Sequence, residues 1–236
     1  MLRHEKILES WYTYMFKMDI HVHSSETSAC GKLSAAETVE LYHKAGYQAL
    51  IMTDHYCREF FEALPEMTWE EKVDQYLVGF RTAEQAGKQL GMRIFMGMEL
   101  RVDENVNDYL VYGITRDFLV KTPKLYRYTI KQFRKTADEN HLFISQAHPM
   151  RPRMIPADPL LLDAVEVYNG NPRHDSHNDK AYAFAKKNGL LMLSGSDCHQ
   201  REDVGLGGIG LENPVNTIQE VISAIKTQSY RLLKNN

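Results

Sequence analysis

A chain of 236 residues suits one large α/β domain, or at most two small ones, and is long enough to bury a sizeable core. Its 43% hydrophobic and 25% charged residues are those of an ordinary globular protein, and a net charge of −3 gives no global attraction to nucleic acid or anionic membrane. A protein that grips long duplexes is thereby disfavoured, while a short anionic ligand held by a local positive site stays open. No apolar run reaches membrane-spanning length, and polar residues interrupt any apolar stretch in the opening MLRHEKILESWYTYMFKMDIHVH, which therefore lacks a signal-peptide layout. Cys30, Cys57 and Cys198 form no CxxC pair and fit a reducing cytoplasm. Cys57 reads as an incidental or buried thiol, whereas Cys198 stands out between Asp197 and His199.

Short apolar runs alternate with longer amphipathic ones, without internal repeats or a linker long enough to separate domains. Residues 1–17 read as an N-terminal extension, its aromatic-rich Trp11–Phe16 stretch as packing, and residues 18–236 as one domain. Met18–Val22 is predicted as a buried strand. Ser34 then caps a helix through Ala45, with Glu37 as its capping-box partner and Gly46 as its stop. Ala49–Thr53 is the next strand. Thr68 and Glu71 form a second capping box, opening one long helix that ends near Gly91. Strands follow at Arg93–Met98 and Tyr109–Gly113, then a helix over about Lys124–Asn140 and a strand at Leu142–Gln146. Ala164–Tyr168 and Leu190–Ser194 are two more strands, separated by a helix from about Asp179 to Asn188. A short strand at Ile209 and a helix over Thr217–Lys226, capped by Asn216 or Thr217, close the chain. Seven strands mostly separated by helices predict a parallel sheet with right-handed crossovers.

Polar residues follow these strands in a regular way. They are His21 and His23, then Asp54 and His55, Glu99, Asp108, His148, Asn169, and finally Asp197 and His199. Positions i and i+2 of a strand share a face, so His21 can point with His23, and Asp197 with His199. Convergence of such residues from most strands favours a closed or nearly closed barrel whose site lies at the carboxyl ends of the strands. Imidazole with carboxylate is the ligand set of Zn, Mn or Fe. Any one histidine at a strand end is ordinarily structural. The joint set is not, because burying so many ionisable groups without a cation costs several kcal/mol each unless they are paired. The candidate ligands outnumber the needs of one tetrahedral ion, which points to two or three ions sharing a bridging carboxylate.

In order, DIHVHS (Asp19–Ser24), TDH (Thr53–His55), GMEL (Gly97–Leu100), AHP (Ala147–Pro149) and GSDCH (Gly195–His199) resemble the successive motifs of the polymerase and histidinol phosphatase (PHP) family. The resemblance spans about Met18 to Leu211. It implies a distorted (β/α)7 TIM-like barrel holding up to three divalent ions that hydrolyse phosphoesters. Carried over by position, His21, His23, Glu99 and Asp197 hold one ion. His55 and His199 hold a second, and His148 shares a third with Glu99. The sequence departs from the family pattern twice. Asp108 stands where many relatives carry histidine, and it is retained as a ligand. Ala29 stands where many carry His or Asp, which leaves the second ion short of a ligand unless Glu26 or water fills the place.

The function implied is in-line attack of a metal-activated hydroxide on a small phosphorylated metabolite, nucleotide or short oligonucleotide, with Glu99 positioning two ions. Arg151 and Arg153, directly after His148, are the best phosphate forks; Arg101 and Arg173 are weaker ones, and His174 and His177 are mostly surface residues. Two other classes stay open: amidohydrolase-type carbon–nitrogen hydrolysis on a similar barrel, and a non-catalytic metal-stabilised accessory domain.

Overall fold

The computed structural model describes residues 15–234. The strands are β1 (Phe16–Val22), β2 (Ala49–Met52), β3 (His55–Tyr56), β4 (Arg93–Arg101), β5 (Asp108–Tyr112), β6 (Phe143–Gln146), β7 (Ala164–Asn169), β8 (Leu191–Gly195), β9 (Gly207–Leu211) and β10 (Tyr230–Lys234). The helices are α1 (Ala35–Lys44), α2 (Arg58–Ala63), α3 (Trp69–Tyr76), α4 (Val78–Leu90), α5 (Arg116–Lys121), α6 (Ile130–Glu139), α7 (Asn178–Asn188) and α8 (Ile218–Lys226). The sheet runs β10-β9-β1-β2-β4-β5-β6-β7-β8, with β3 paired to β4. Strands β2, β5, β6 and β9 are buried along their whole length, as a sheet covered on both faces requires.

One core cluster draws together Met18, Ile20, Ile51, Leu110, Phe143, Leu193 and Ile209 from six different strands. That is possible only if the sheet curls so that these strands face a common interior. Its ends meet where the segment after β8 runs beside β1. His23 N–H donates to the Cys198 carbonyl at 3.0 Å, and Cys198 N–H donates to the His21 carbonyl at 3.1 Å. The backbones of Gly195 and Gly207 pass so closely that a Cβ on Gly207 would lie 2.3 Å from Gly195 carbonyl atoms. The fold is therefore a mixed α/β, nearly closed, distorted TIM-like barrel.

The wholly parallel sheet expected from the sequence needs correction. β5 is antiparallel to both β4 and β6, and β9 is antiparallel to β1 and β10. The six residues between β4 and β5 are too few for a crossover, so these strands form a hairpin. β3 and β10 were not anticipated, each being too short or too polar to give an apolar-run signal. The long helix expected from Thr68 to Gly91 is two helices broken at Leu77, although the Thr68 capping box and the left-handed Gly91 stop are both present. Helix α6 begins only at Ile130, capped by Thr129 with Gln132, and Leu125–Arg127 is a separate 3₁₀ turn. Ser34 does cap α1 by accepting from Glu37 N–H at 3.3 Å. The Glu37 carboxylate, however, pairs with Arg201 rather than closing the box. Of the Trp11–Phe16 stretch, residues 11–14 lie outside the described residues; Phe16 is buried in β1.

Candidate metal centre

β1 places His21 and His23 on one face, both buried. His21 Nδ1–H donates to Glu166 Oε1 at 2.8 Å, and the other oxygen of Glu166 accepts from His148 N–H and from the Asn169 amide, each at 2.9 Å. His23 Nδ1–H lies 3.2 Å from Ser28 Oγ, whose own hydroxyl donates to Asp54 at 2.7 Å. His199 Nδ1–H donates to the Asp197 carbonyl at 2.9 Å. In all three rings Nδ1 is thereby engaged by its support and Nε2 is turned away from it, the orientation that a metal-ligating imidazole requires.

What those nitrogens face is a set of carboxylates. His21 Nε2 is 3.4 Å from Glu99 Oε1 and 3.3 Å from Asp197 Oδ1. His23 Nε2 is 3.3 Å from Glu99 Oε2 and 3.5 Å from Asp197 Oδ1. His55 Nδ1 lies 2.9 Å from Glu99 Oε2, and His148 Nε2 3.1 Å from Glu99 Oε1. Glu99 thus stands at the middle of the cluster. It arrives there on β4 together with β3, whose His55 is in register with Glu99.

His21 Nε2, His23 Nε2, Glu99 Oε2 and His148 Nδ1 are buried and make no hydrogen bond. His21 Nε2 and His23 Nε2 lie 3.3 and 3.5 Å from the same oxygen, Asp197 Oδ1, close to the edge of a tetrahedron with bonds of ~2.0–2.1 Å. Ligand atoms also group within 4.8 Å in the sets His23–His55–His199, His21–Glu99–His148 and His55–Glu99–Asp108. The residues present fit divalent cations.

Electrostatics agrees with this. Burial alone would raise Glu99 and Asp197, but the imidazoles around them, His21 foremost, hold both well below the usual carboxylate range. Burial, with His199 and His55 alongside, pushes His23 well down, so it stays neutral. Burial would likewise lower His21, but Glu166, Asp197 and Glu99 raise it well above its ordinary value. Backbone strain marks the same place: His148 and Asp197 have φ of 29° and 54°, conformations costing roughly 1–3 kcal/mol each for a non-glycine residue.

Above the cluster opens a cavity of about 470 Å³, with Glu99, His55, His148, Asp197 and His199 among its lining residues. Three guanidinium groups also line it. Arg101 grips Asp108 through two bonds of 2.7 and 2.8 Å, and Arg173 pairs with Asp203. Arg151 Nη2 donates to Asp197 at 2.8 Å and to Asn169 at 3.0 Å, while its buried Nε has no partner. Asp108 reaches this end because β5 runs antiparallel, so that the start of the strand meets the carboxyl ends of its neighbours.

The eight candidate ligands named from sequence therefore lie together: His21, His23, His55, Glu99, Asp108, His148, Asp197 and His199. Both Asp108 oxygens are committed to Arg101, and His148 Nε2 is 4.0 Å away. Glu26 and Arg153 do not join them. Both Glu26 oxygens accept from Ala35 N–H at the start of α1, where a carboxylate meets the positive helix end. Arg153 is exposed and is not among the cavity's lining residues. His174 lines the cavity; His177 does not. Cys198 is structural, its backbone closing the barrel and its thiol pushed well up by burial.

Sequence reasoning missed Glu166 and Asp19. Asp19 is wholly buried and accepts from Tyr42 Oη–H at 2.8 Å and from the His21 and Ser196 amides; burial pushes it up to about 6, against these hydrogen bonds. The available signal was a carboxylate inside an otherwise apolar strand, MDIHV and AVEVYN. Gly195 makes room for the pair His21–Glu166, since a Cβ there would lie 2.5 Å from His21 Cβ and 2.7 Å from Glu166 Oε1.

Residues 175–229 match the PHP-associated family. No curated protein matches the chain in sequence. Among solved structures it is similar to a two-domain protein from Bacteroides vulgatus with a region assigned as a PHP-like metal-dependent phosphoesterase, at 16% identity and a TM-score of 0.66 over 94% of this chain and 65% of that one. The chain thus spans less than two thirds of that protein. A protein from Bifidobacterium adolescentis assigned as a metal-dependent phosphoesterase is 17% identical, with a TM-score of 0.53 over 90% of this chain and 96% of that one. An amidohydrolase from Chromobacterium violaceum is 16% identical, with a TM-score of 0.53 over 92% and 97%. Identities this low show a shared fold. Taken with the matched region and the barrel with its ordered motifs, they support the polymerase and histidinol phosphatase (PHP) domain family as the family of this chain.

Proposed function

We propose that this chain is a metal-dependent phosphoesterase acting on a small phosphorylated metabolite, nucleotide or short oligonucleotide. The observation that carries the reading is the set of unpartnered buried ligand atoms on His21, His23 and Glu99, with His148 Nε2 turned onto the same Glu99, beneath a cavity flanked by Arg101, Arg151 and Arg173. His21, His23, Glu99 and Asp197 would hold one divalent ion, His55 and His199 a second, and His148 with Glu99 a third. Zn, Mn and Fe suit these donors. Such ions, when bound, supply Lewis acidity and lower the pKa of water toward neutrality.

The protein's own part is support and charge. Glu166 and Ser28 hold the His21 and His23 rings in one tautomer, so that their Nε2 lone pairs face inward. Arg151, which lines the cavity beside Asp197, is placed to offset negative charge on a phosphoryl group. Arg101 and Arg173, each paired with a carboxylate, Asp108 and Asp203, bring further guanidinium donors to the rim. This rim favours an anionic ester over a neutral amide, which separates the reading from the carbon–nitrogen hydrolysis named for the Chromobacterium fold neighbour. Three unpaired thiols suit the cytoplasm as the place of action.

A panel of phosphomonoesters, phosphodiesters, amides and lactones, offered to the Mn- or Zn-loaded protein, tests this. Turnover confined to the phosphoesters is the expected result, and turnover confined to amides or lactones overturns it. Full metal content with no turnover at all would make the chain an accessory domain.

A further inference from the structure

Around His55 and His199 the ligand set runs short. Ala29 has no donor atom, and the other nearby carboxylates are engaged. Glu26 sits on Ala35 N–H, Asp54 accepts from Ser24 and Ser28, and Asp108 is gripped by Arg101. The next residue along the chain is Cys30. It lines the same cavity as His55 and His199, and its thiol interacts with both rings.

Its position is built by the fold. The loop carrying it is closed by Ser25 N–H donating to the Leu33 carbonyl and Gly31 N–H donating to the Ser28 carbonyl, each at 2.8 Å. Lys32 N–H then donates to the carbonyl of His199 itself at 2.7 Å. Gly31 packs so closely on the Ser24–Ser25 backbone that a Cβ there would lie 2.8 Å from it. A separate observation points to a cation at this spot. One ligand atom each of His23, His55 and His199 lies within 4.8 Å of the other two, and His23, the buried member of the three, keeps its Nε2 without a hydrogen bond.

We propose that Cys30 is a thiolate ligand of the cation held by His55 and His199, taking the place left open at Ala29. The inference rests on the metal-dependent reading above. On binding, the thiol gives its proton to solvent as the sulfur–metal bond forms, and no oxidant or reductant is needed. A sulfur donor selects Zn²⁺ or Fe²⁺ over Mn²⁺ at this site, while the Glu99-centred sites keep only nitrogen and oxygen donors.

Cobalt substitution of the full chain tests it without reference to turnover. The cobalt-loaded protein is expected to show a near-ultraviolet sulfur-to-cobalt charge-transfer band. That band should be lost in Cys30→Ser and kept in Cys57→Ser, with visible ligand-field bands present in all three. A wild-type spectrum with ligand-field bands but no sulfur band overturns the Cys30 assignment alone, as does a sulfur band that survives Cys30→Ser. Failure of cobalt to bind anywhere overturns both this assignment and the metal-dependent function. Alkylation mapped by peptide mass gives a second reading. Zinc loading should slow modification of Cys30 and leave that of Cys57 unchanged, and equal rates at Cys30 with and without zinc overturn the proposal.

Discussion

Glu99 and Glu166 are both carboxylates fully buried among histidines, yet their neighbours give them different work. Glu99 faces four imidazoles and has one oxygen without a hydrogen bond, whereas Glu166 spends its oxygens on His21, His148 N–H and Asn169. Glu99→Gln should therefore remove most activity, by roughly 10²-fold or more, and lower bound metal in elemental analysis. Retained metal with near wild-type kcat would contradict a central role for Glu99. Glu166→Gln keeps shape but loses the charge behind His21, so metal affinity in a chelator competition should fall by about 10–100-fold. Unchanged affinity would mean that the His21 orientation is set by packing alone. His21, His23, His55, His148, Asp197 and His199 were legible because they cluster at predicted strand ends. Glu166 was not, because a single carboxylate within AVEVYN gives no sign of what it supports.

Among the elements, caps were read well and interruptions poorly. Thr68 and Thr217 each accept from the backbone amide three residues on, as their residues suggested, whereas Thr129, which caps α6 in the same way, was not named from the sequence. Thr217, not Asn216, caps α8, since its Oγ1 accepts from Glu220 N–H at 3.2 Å. Thr217→Ala should cost about 1 kcal/mol in urea denaturation, as loss of an N-cap does, and Asn216→Ala distinctly less. The reverse ranking would assign the cap wrongly. The break at Leu77 between α3 and α4 has only Gly79, two residues on, as a local signal, and the helical pattern on either side masked it. It falls where Tyr76 is drawn in, its hydroxyl donating to the Asp54 carbonyl at 2.7 Å and its own carbonyl accepting from Thr27. These are contacts over more than twenty residues of separation, invisible to a helical window.

For the whole molecule, closure of the barrel and the charge of the centre are the two global conditions. Gly207→Ala puts a Cβ into the Gly195 backbone at the closing seam and should destabilise by about 1–3 kcal/mol, read as a lower urea midpoint. An unchanged midpoint would show that the seam relaxes freely. Stripping divalent ions should lower Tm, and zinc should restore it. The gain grows with the ratio of free metal to Kd and reaches ~2.7 kcal/mol at a hundredfold excess. Identical Tm with and without metal would leave the clustered carboxylates and imidazoles balanced by themselves. By its residues alone, the sequence determined the alternation of strands and helices, the ordered polar residues at strand ends and the imidazole-and-carboxylate chemistry of that set. These follow from periodicity and side-chain chemistry, which are local. Only the tertiary structure decided that β5 and β9 run antiparallel, that Asp108 belongs to Arg101, that Glu26 caps a helix, and that Glu166 and Cys30 stand beside the centre. Each of these depends on which distant segments become neighbours, and that is settled by closing the sheet on its common core.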